Sequence, residues 1–412
     1  MAYISKIPND QRNQQLLMAI ESIPGVRPAT GWVRMNGTLD FPAVSGALSD
    51  YQDATGTYMG AASPSRTTAA PSGNFSAPAS FESLARWLRL GIEAGGDPDS
   101  GSGPDYTYVK EPPLTQDNVD TATFLTGVLG NGEQVSGVRL NETNLSIDYG
   151  SANGFWELSG TATAAGDPIE LADGFEGEWT SATATTGTMT GAAWTVDAYA
   201  GTFVFFQFGT GTGQVRQIVS NTADTVTWST PLEAGDVPTA GDPFRIAGQF
   251  PAGVAALDEE KIIAPGTKTW ILPAGSTPDD TNQIRNRVIS ANVSVALNLD
   301  PKGFLENEPG TLSGIYGRGE LAITGQVQME FDRYDEIRQM KNMDELLIQF
   351  ERLGSDLGGG VRKLARVTVP RAVWNAPTRG NRNNNLTQTL SFRAYQATPP
   401  LVITTRNGLA SL

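Results

Sequence analysis

The chain has 412 residues, a formal net charge of −15 from 44 acidic and 29 basic side chains, and neither cysteine nor histidine. The two missing residue types exclude disulfides, thiolate nucleophiles and the commonest metal ligands and general bases, so we predict neither an enzyme nor a cofactor. The acidic balance disfavours wrapping of a nucleic acid backbone, which requires clustered lysine and arginine.

No secretory signal and no membrane span are predicted. The N-terminal sequence MAYISKIPND lacks a cationic segment followed by an apolar one, and no run of about 18 apolar residues occurs in the chain. The protein is therefore expected to be made and assembled in a cytoplasm.

Residues 1–168 predict a β-rich domain with one short helix. Residues 32–41 alternate apolar and polar side chains, as a strand with one buried face does. A long loop over residues 45–72 follows. Residues 81–92 carry apolar side chains at the spacing of an amphipathic helix, and Ser80 is the candidate N-cap.

Residues 169–249 have a different composition, rich in threonine, glycine, alanine and tryptophan. They predict an inserted, small, all-β module with strands at residues 202–208, 214–220 and 225–228. Residues 250–286 contain several prolines and the acidic run Asp258, Glu259 and Glu260. We predict that they link the module to the last part of the chain.

Residues 287–412 predict a second β-rich domain, again with one helix. Strict alternation indicates strands at residues 293–299, 320–331 and 386–395. The spacing over residues 334–341 predicts a helix that Asp332 could cap. Residues 346–350 and 364–369 flank a run of three glycines and favour a hairpin, although a helix that continues to Phe350 also fits the spacing.

The two β-rich domains look like copies of one unit. In each of them a strand that contains a glycine leads into the short helix, with one residue of slippage between the copies. The matching residues are Gly73, Phe75, Ala77, Ala79, Phe81, Leu84 and Trp87 in the first copy, and Gly325, Val327, Met329, Phe331, Tyr334, Ile337 and Met340 in the second.

Four segments carry this order of elements. They are GNFSAPASFESLARWLRLGI and VRLNETNLSIDYG in the first copy, and GELAITGQVQMEFDRYDEIRQM and ELLIQFERLGSDLGGGVRKLARVTVPRAVW in the second. Their order resembles that of the tail tube (major tail) proteins of long-tailed bacteriophages. The resemblance covers the chain apart from the insert, and it lies in the arrangement of elements rather than in an invariant motif.

This resemblance implies a mainly β fold of two tail-tube-type domains, each a β-sandwich that forms a barrel with its neighbours and has a short flanking α-helix, plus the inserted all-β domain. It also implies a non-enzymatic virion protein that self-assembles into stacked rings, the conduit for DNA ejection. The expected partners are further copies of the chain in a pseudo-sixfold ring of three, the tape measure protein, the terminator and tip proteins, and passing double-stranded DNA without specific binding.

Two sets of residues are candidates for these contacts. One face of the strand at 320–331 is polar and is predicted to face the lumen, unless it is ordinary solvent-exposed sheet; its residues are Glu320, Thr324, Gln326, Gln328 and Glu330. The loops at 45–72 and 303–319 are predicted to reach the next ring, unless they are simple surface loops. Their aromatic and charged residues are Tyr51, Tyr58, Arg66, Phe304, Tyr316 and Arg318.

A second function also fits the sequence. A virion-surface or extracellular β-sandwich adhesin, or a decoration protein, could bind glycans through Trp179, Trp194 and Trp228 of the insert, although packing in a core explains tryptophans as well.

Three weaker signals favour structure over chemistry. The GxGxG spacing of Gly209, Gly211 and Gly213 lacks the following helix of a nucleotide site and predicts a turn. The acidic run 258–260 predicts solvated charges rather than a pair of catalytic acids, and residues 95–105 predict a flexible loop rather than a Ca²⁺ site.

Overall fold

The fold is mainly β and antiparallel, as the composition predicts, with two short helices in the part of the chain that the structure describes. This computed structural model describes residues 15–41, 48–51, 63–66, 71–103, 105–112, 114, 119–128, 131–150, 154–166, 168–171, 175–206, 209–246, 250–251, 254, 256–301, 316–332, 334–382, 384–395 and 398–412.

The elements fall into three successive groups. The first is β1 (Gln15–Ile20), β2 (Val33–Met35), β3 (Thr38–Asp40), β4 (Leu48–Tyr51), β5 (Ser63–Arg66), β6 (Ser72–Pro78), α1 (Leu84–Leu88), β7 (Ser100–Ser102), β8 (Asp105–Lys110), β9 (Ala122–Val128), β10 (Asn131–Asp148), β11 (Trp156–Thr163) and β12 (Ile169–Glu170). The second is β13 (Phe175–Glu178), β14 (Ser181–Ala182), β15 (Thr186–Thr188), β16 (Phe203–Phe206), β17 (Val215–Asn221), β18 (Thr225–Trp228) and β19 (Pro243–Ile246). The third is β20 (Lys268–Pro273), β21 (Val288–Ala296), β22 (Leu299–Pro301), β23 (Tyr316–Arg318), β24 (Ala322–Glu330), α2 (Asp335–Asn342), β25 (Leu346–Gly358), β26 (Val361–Arg382), β27 (Asn385–Ala394) and β28 (Val402–Asn407).

The first and third groups repeat one set of strand pairings. In the first group the paired strands run β3-β6-β11-β10, and in the third they run β21-β24-β27-β26. Outside these strands, β1 pairs with β9, which pairs with β10, just as β20 pairs with β25, which pairs with β26. The helices also match, since α1 follows β6 and α2 follows β24.

Two glycines occupy the same position in this repeat. A Cβ built on Gly73 would lie 2.3 Å from the carbonyl oxygen of Asp40 on the neighbouring β3, and one on Gly325 would lie 2.3 Å from that of Asn292 on β21. Each glycine precedes the residue that pairs with that neighbour, Asn74 with Asp40 and Gln326 with Asn292. The close approach of the backbones therefore explains both glycines.

One sheet joins the two groups, because β10 pairs with β21 along seven residue pairs, from Asp148 with Ser290 to Glu142 with Ala296. The resulting order is β3-β6-β11-β10-β21-β24-β27-β26. One face of this sheet packs in a single hydrophobic core that contains side chains of both groups. Across the β10–β21 junction, Leu145 and Val293 are each 3 % exposed, and burial of such side chains stabilises the fold by about 1.5–3 kcal/mol each.

The middle group forms a separate sheet with a core of its own. Its strands run β13-β19-β16-β17-β18-β15-β14, which includes the three predicted strands. The core contains all three tryptophans of this group, with Trp179 stacked on Phe244 at a centroid distance of 3.7 Å.

Both helices differ from the prediction: α1 is shorter, and α2 has a different N-cap residue. Only residues 84–88 of the predicted helix 81–92 form α1, because the following turn bends to β10, where Leu140 N–H donates to the carbonyl of Leu90 at 2.9 Å. Ser80 Oγ accepts from the N–H of Ser83 and so caps the preceding turn. In α2 the N-cap residue is Tyr334, since Asp332 instead forms an ion pair with Arg287.

Three other segments differ from the sequence-based interpretation. Residues 32–41 form two strands rather than one, because the chain breaks at Gly37, whose φ is +133°. Residues 346–350 belong to a strand of the β25–β26 hairpin, not to a continued helix. The predicted linker 250–286 contains β20 and contributes Ile262 and Trp270, both buried, so it is part of the fold.

Candidate channel surface and sheet edges

The candidate lumen residues lie on a polar face that extends over the whole joined sheet. Side chains on this face are exposed or half-buried, while those between them lie in the core. In strand order the polar residues are Thr38 and Asp40; Ser72, Asn74 and Ser76; Glu157, Ser159 and Thr161; Glu142, Asn144, Ser146 and Asp148; Ser290, Asn292 and Ser294; Thr324, Gln326, Gln328 and Glu330; and Thr389, Ser391 and Arg393.

The five residues named from the sequence are all at this face. Thr324, Gln326 and Glu330 are exposed on β24, and Gln328 is half-buried there. Glu320 lies just before the strand, exposed, and forms an ion pair with Arg393 of β27 at 3.1 Å. Of the strands of this face, only β24 was predicted from the sequence to face the lumen.

The other strands of this face also alternate polar and buried positions, but less strictly than β24. In β10 the polar positions Glu142, Asn144, Ser146 and Asp148 alternate with Thr143, Leu145 and Ile147. That alternation was available in the segment VRLNETNLSIDYG. What the sequence did not show is that β10 and β21 are neighbours, which makes the two polar stripes one surface.

The charge on this face is predominantly acidic. Its carboxylates are Asp40, Glu142, Asp148, Glu157, Glu320 and Glu330. Two guanidinium groups offset part of this charge. Arg393 pairs with Glu320, and Arg382 reaches over the face to Gln328 at 3.4 Å and Asp148 at 3.7 Å.

A shallow hollow lies over the β10–β21 junction. Its lining includes Ser146, Asp148, Asn292 and Gln326 and is mostly polar. Pockets that hold small molecules are mostly apolar, so this hollow is a feature of a wet surface. In the described residues no group of three or more carboxylates is placed to hold a metal ion, and this includes the described part of residues 95–105.

Two strand edges of the joined sheet carry no partner strand in the described part of the chain. β3 pairs with β6 on one side only. In β26, residues 364–368 pair with β25 on one side and β28 on the other, but residues 373–382 pair with β27 alone in the described part of the chain. The equivalent part of β10 is covered, because β21 occupies that side. In the described residues the strand pairings branch at β10 and β26, and β3 is paired with β6 alone.

The loop candidates are described only in part. Tyr51 and Arg66 end the strands of the β4–β5 hairpin, and Tyr316 and Arg318 lie in β23, which pairs with β22. The two hairpins occupy matching places, between β3 and β6 and between β21 and β24. Tyr58 and Phe304 lie outside the described residues.

The weaker sequence signals have structural explanations. Gly209, Gly211 and Gly213 have φ between +83° and +90° in a turn, and no helix follows them. The prediction of solvated charges is wrong for Glu259, whose side chain is 2 % exposed and forms an ion pair with Lys261 at 2.6 Å. Glu260 contacts Lys363 at 3.2 Å. Trp179, Trp194 and Trp228 are 1 %, 7 % and 1 % exposed, so they do not form a platform for sugar rings.

No protein-family model matches the chain, and no curated protein matches it in sequence. Neither helix in the described residues is long and apolar enough to cross a membrane.

Proposed function

We propose that this chain is the tail tube protein of a long-tailed bacteriophage, whose copies form stacked rings around a channel for DNA. The observation that carries the proposal is the joined sheet, which has a continuous polar face on one side and a core on the other. At each end of this sheet lies a strand edge that no described strand covers. Uncovered edges favour pairing with further strands, and a ring of chains covers all of them.

The repeated strand pairing favours a ring of three chains. Residues 1–168 and 287–412 are then two copies of one tube domain, and the β10–β21 junction joins them within the chain. Each chain supplies two of the six units of a pseudo-sixfold ring. The inserted module, residues 169–249, has its own core and lies on the outside of the tube in this proposal.

The polar face is suited to line the channel. DNA carries one negative charge per about 1.7 Å of duplex, and an acidic wall repels those phosphates. The amides and hydroxyls between the carboxylates are uncharged, and the two arginines of the face, Arg382 and Arg393, contact carboxylates of the same face. DNA therefore passes without specific contacts, and the tube contacts the tape measure protein in its channel before DNA enters and the terminator and tip proteins at its ends. The location is the virion tail, assembled in the bacterial host cytoplasm.

Cations on this face should make the channel retain DNA. We expect tubes of the variant Gln326→Lys/Gln328→Lys, assembled with short duplex DNA, to co-sediment at least about tenfold more DNA than wild type at 50 mM salt, and to release it at 200 mM, because counterion release drives such binding. The measurement is DNA content of pelleted tubes.

A matched pair of lysines elsewhere controls for charge alone. Gln217 and Val219 are also two residues apart on one strand and exposed, but on the insert. The variant Gln217→Lys/Val219→Lys should retain much less DNA than the channel variant under nuclease treatment, which removes DNA from the tube exterior. Equal retention by the two variants would contradict the channel position of β24.

The β4–β5 hairpin is proposed to connect successive rings. Deletion of residues 55–69 should leave a folded protein that forms single rings but no tubes, because β5, the described strand in this range, pairs with β4 and not with the joined sheet. Circular dichroism checks the fold, and negative-stain microscopy separates rings from tubes. Tubes of normal length from this deletion would refute the inter-ring role.

Microscopy of the purified full chain tests the proposal as a whole. Tubes or stacked rings are the expected result. Discrete particles that bind a glycan array would instead favour the adhesin or decoration protein.

A further inference from the structure

The interface between neighbouring chains of the ring can be specified to the residue, because each chain contains an internal copy of it. In the repeat, β10 matches β26 and β21 matches β3. The β10–β21 junction is therefore the internal counterpart of a contact between the uncovered edge of β26 and the uncovered edge of β3. This inference rests on the proposed ring.

The matching positions on β3 and β21 follow from the two glycines. Because Gly73 and Gly325 make the same close approach, Asp40 matches Asn292, and Thr38, two residues earlier, matches Ser290. In the same alignment, Ser76 of β6 is equivalent to Gln328 of β24, because Ser76 pairs with Thr38 and Gln328 pairs with Ser290.

The matching positions on β10 and β26 follow from the residue pairings through β11 and β27. Ser76 pairs with Ser159, and Gln328 pairs with Thr389. Ser159 in turn pairs with Asn144, and Thr389 with Thr378. Asn144 therefore matches Thr378. Two and four residues further along the two strands, Ser146 matches Gly380 and Asp148 matches Arg382, and these last two residues end β10 and β26.

Within the chain, Asp148 lies opposite Ser290 and Ser146 lies opposite Asn292. We propose that β3 of one chain pairs antiparallel with the end of β26 of the next chain, with Thr38 opposite Arg382 and Asp40 opposite Gly380. A second copy of this chain is thus the partner of both edges. A shift of one residue would turn the polar face of one chain toward the core of the other, so the register is strongly specified.

The side chains fit this register. Thr38, Asp40 and Gly380 are exposed, and Arg382 is half-buried, all on the polar face. Asp40 then lies opposite Gly380, which carries no side chain and leaves room for the carboxylate. Arg382 contacts Gln328 at 3.4 Å and Asp148 at 3.7 Å within its own chain, so the register requires no ion pair between Arg382 and Asp40.

Cysteine pairs test this register without background, because the natural chain contains no cysteine. The variant Thr38→Cys/Arg382→Cys should form interchain disulfides on mild oxidation of assembled protein, and non-reducing gels should show linked chains up to closed trimers. Asp40→Cys/Gly380→Cys is a second test of the same register. Opposite Cβ atoms in a sheet lie about 4.5–5.5 Å apart, close enough for a disulfide after small adjustments.

Two control variants calibrate the yield of interchain disulfides. Asp148→Cys/Ser290→Cys is the internal counterpart and should form a disulfide within one chain, with no linked chains. Thr38→Cys/Thr378→Cys is four residues out of register and should link chains at least about tenfold less, because strand spacing of about 3.3 Å per residue separates its sulfurs.

The outcomes separate this inference from the proposed function. Tubes that form without cross-links at either predicted pair, or with equal cross-linking at the out-of-register pair, would overturn the register and leave the tube proposal standing. Chains that remain monomeric, with only the internal control oxidised, would overturn both.

Discussion

Arg287→Met should lower the free energy of unfolding by about 3–5 kcal/mol, because it leaves a buried carboxylate without its charged partner. Arg287 donates to Glu336 Oε1 at 2.7 Å, and the two side chains are 7 % and 8 % exposed. After the substitution, the side-chain amide of Gln388 still donates to Glu336 Oε2 at 3.0 Å, but the charged partner is lost. Denaturant unfolding of the purified chain measures the loss.

Two further variants distinguish the stability cost of an unpaired buried charge from the cost of losing an ion pair in general. The double variant Arg287→Met/Glu336→Leu should recover much of the loss, since an apolar pair in the same space is often as stable as the ion pair. Arg338→Met removes the exposed partner of Asp335 and should cost at most about 1 kcal/mol. Equal losses for Arg287→Met and Arg338→Met would contradict the account of the buried pair.

The pH dependence of this pair has a definite sign. Burial alone raises the pKa of Glu336, but the hydrogen bond and charge of Arg287 outweigh it and hold the pKa below its ordinary value. A carboxyl with a depressed pKa stabilises the fold above its unfolded-state pKa, and that stabilisation is lost as pH falls through the folded-state value. The difference in stability between wild type and Arg287→Met should therefore narrow as the pH is lowered into the acidic range.

Gly325→Ala should destabilise the chain by about 1–3 kcal/mol, because its Cβ meets atoms that cannot all move away. The carbonyl oxygen of Asn292 and the ring of Phe392 each lie 2.3 Å from that position. The carbonyl belongs to the backbone of β21, so relief of the clash must push two paired strands apart. Thermal and denaturant unfolding report the effect.

Gly73→Ala should behave in the same way in the other half of the chain, and it should also weaken assembly, because it displaces β3 at the uncovered edge. Gly380→Ala is the control: its Cβ would meet Thr387 Oγ1 at 3.3 Å, and the change should stay within about 0.5 kcal/mol. Unchanged stability in both Gly73→Ala and Gly325→Ala would show that the two close approaches are not real constraints.

Strand content was predictable from this sequence, since alternation depends only on which face each residue presents. The strand at 320–331 appears as β24 with the expected buried face, and the glycine run at 358–360 closes the β25–β26 hairpin as expected. The tryptophans of the insert also have the ordinary explanation of core packing.

Long-range pairing was not predictable, because it depends on residues far apart in the chain. Trp270 and Ile262 are buried although they lie in a proline-containing segment that predicts a linker. Arg287 and Glu336 each look like surface charges, and only their position between β21 and α2 makes them a buried pair. The β10–β21 junction, on which the proposed channel surface depends, connects strands that are separated by the whole insert.

The central claim is that one chain supplies two equivalent units of a ring around a channel. End-on cryo-electron microscopy of assembled protein tests it most directly. We expect three inserted modules around the outside of each ring and near-sixfold density around the channel, with β24 of each chain on the inner wall. Six inserted modules per ring, or a channel lined by the insert, would contradict the claim.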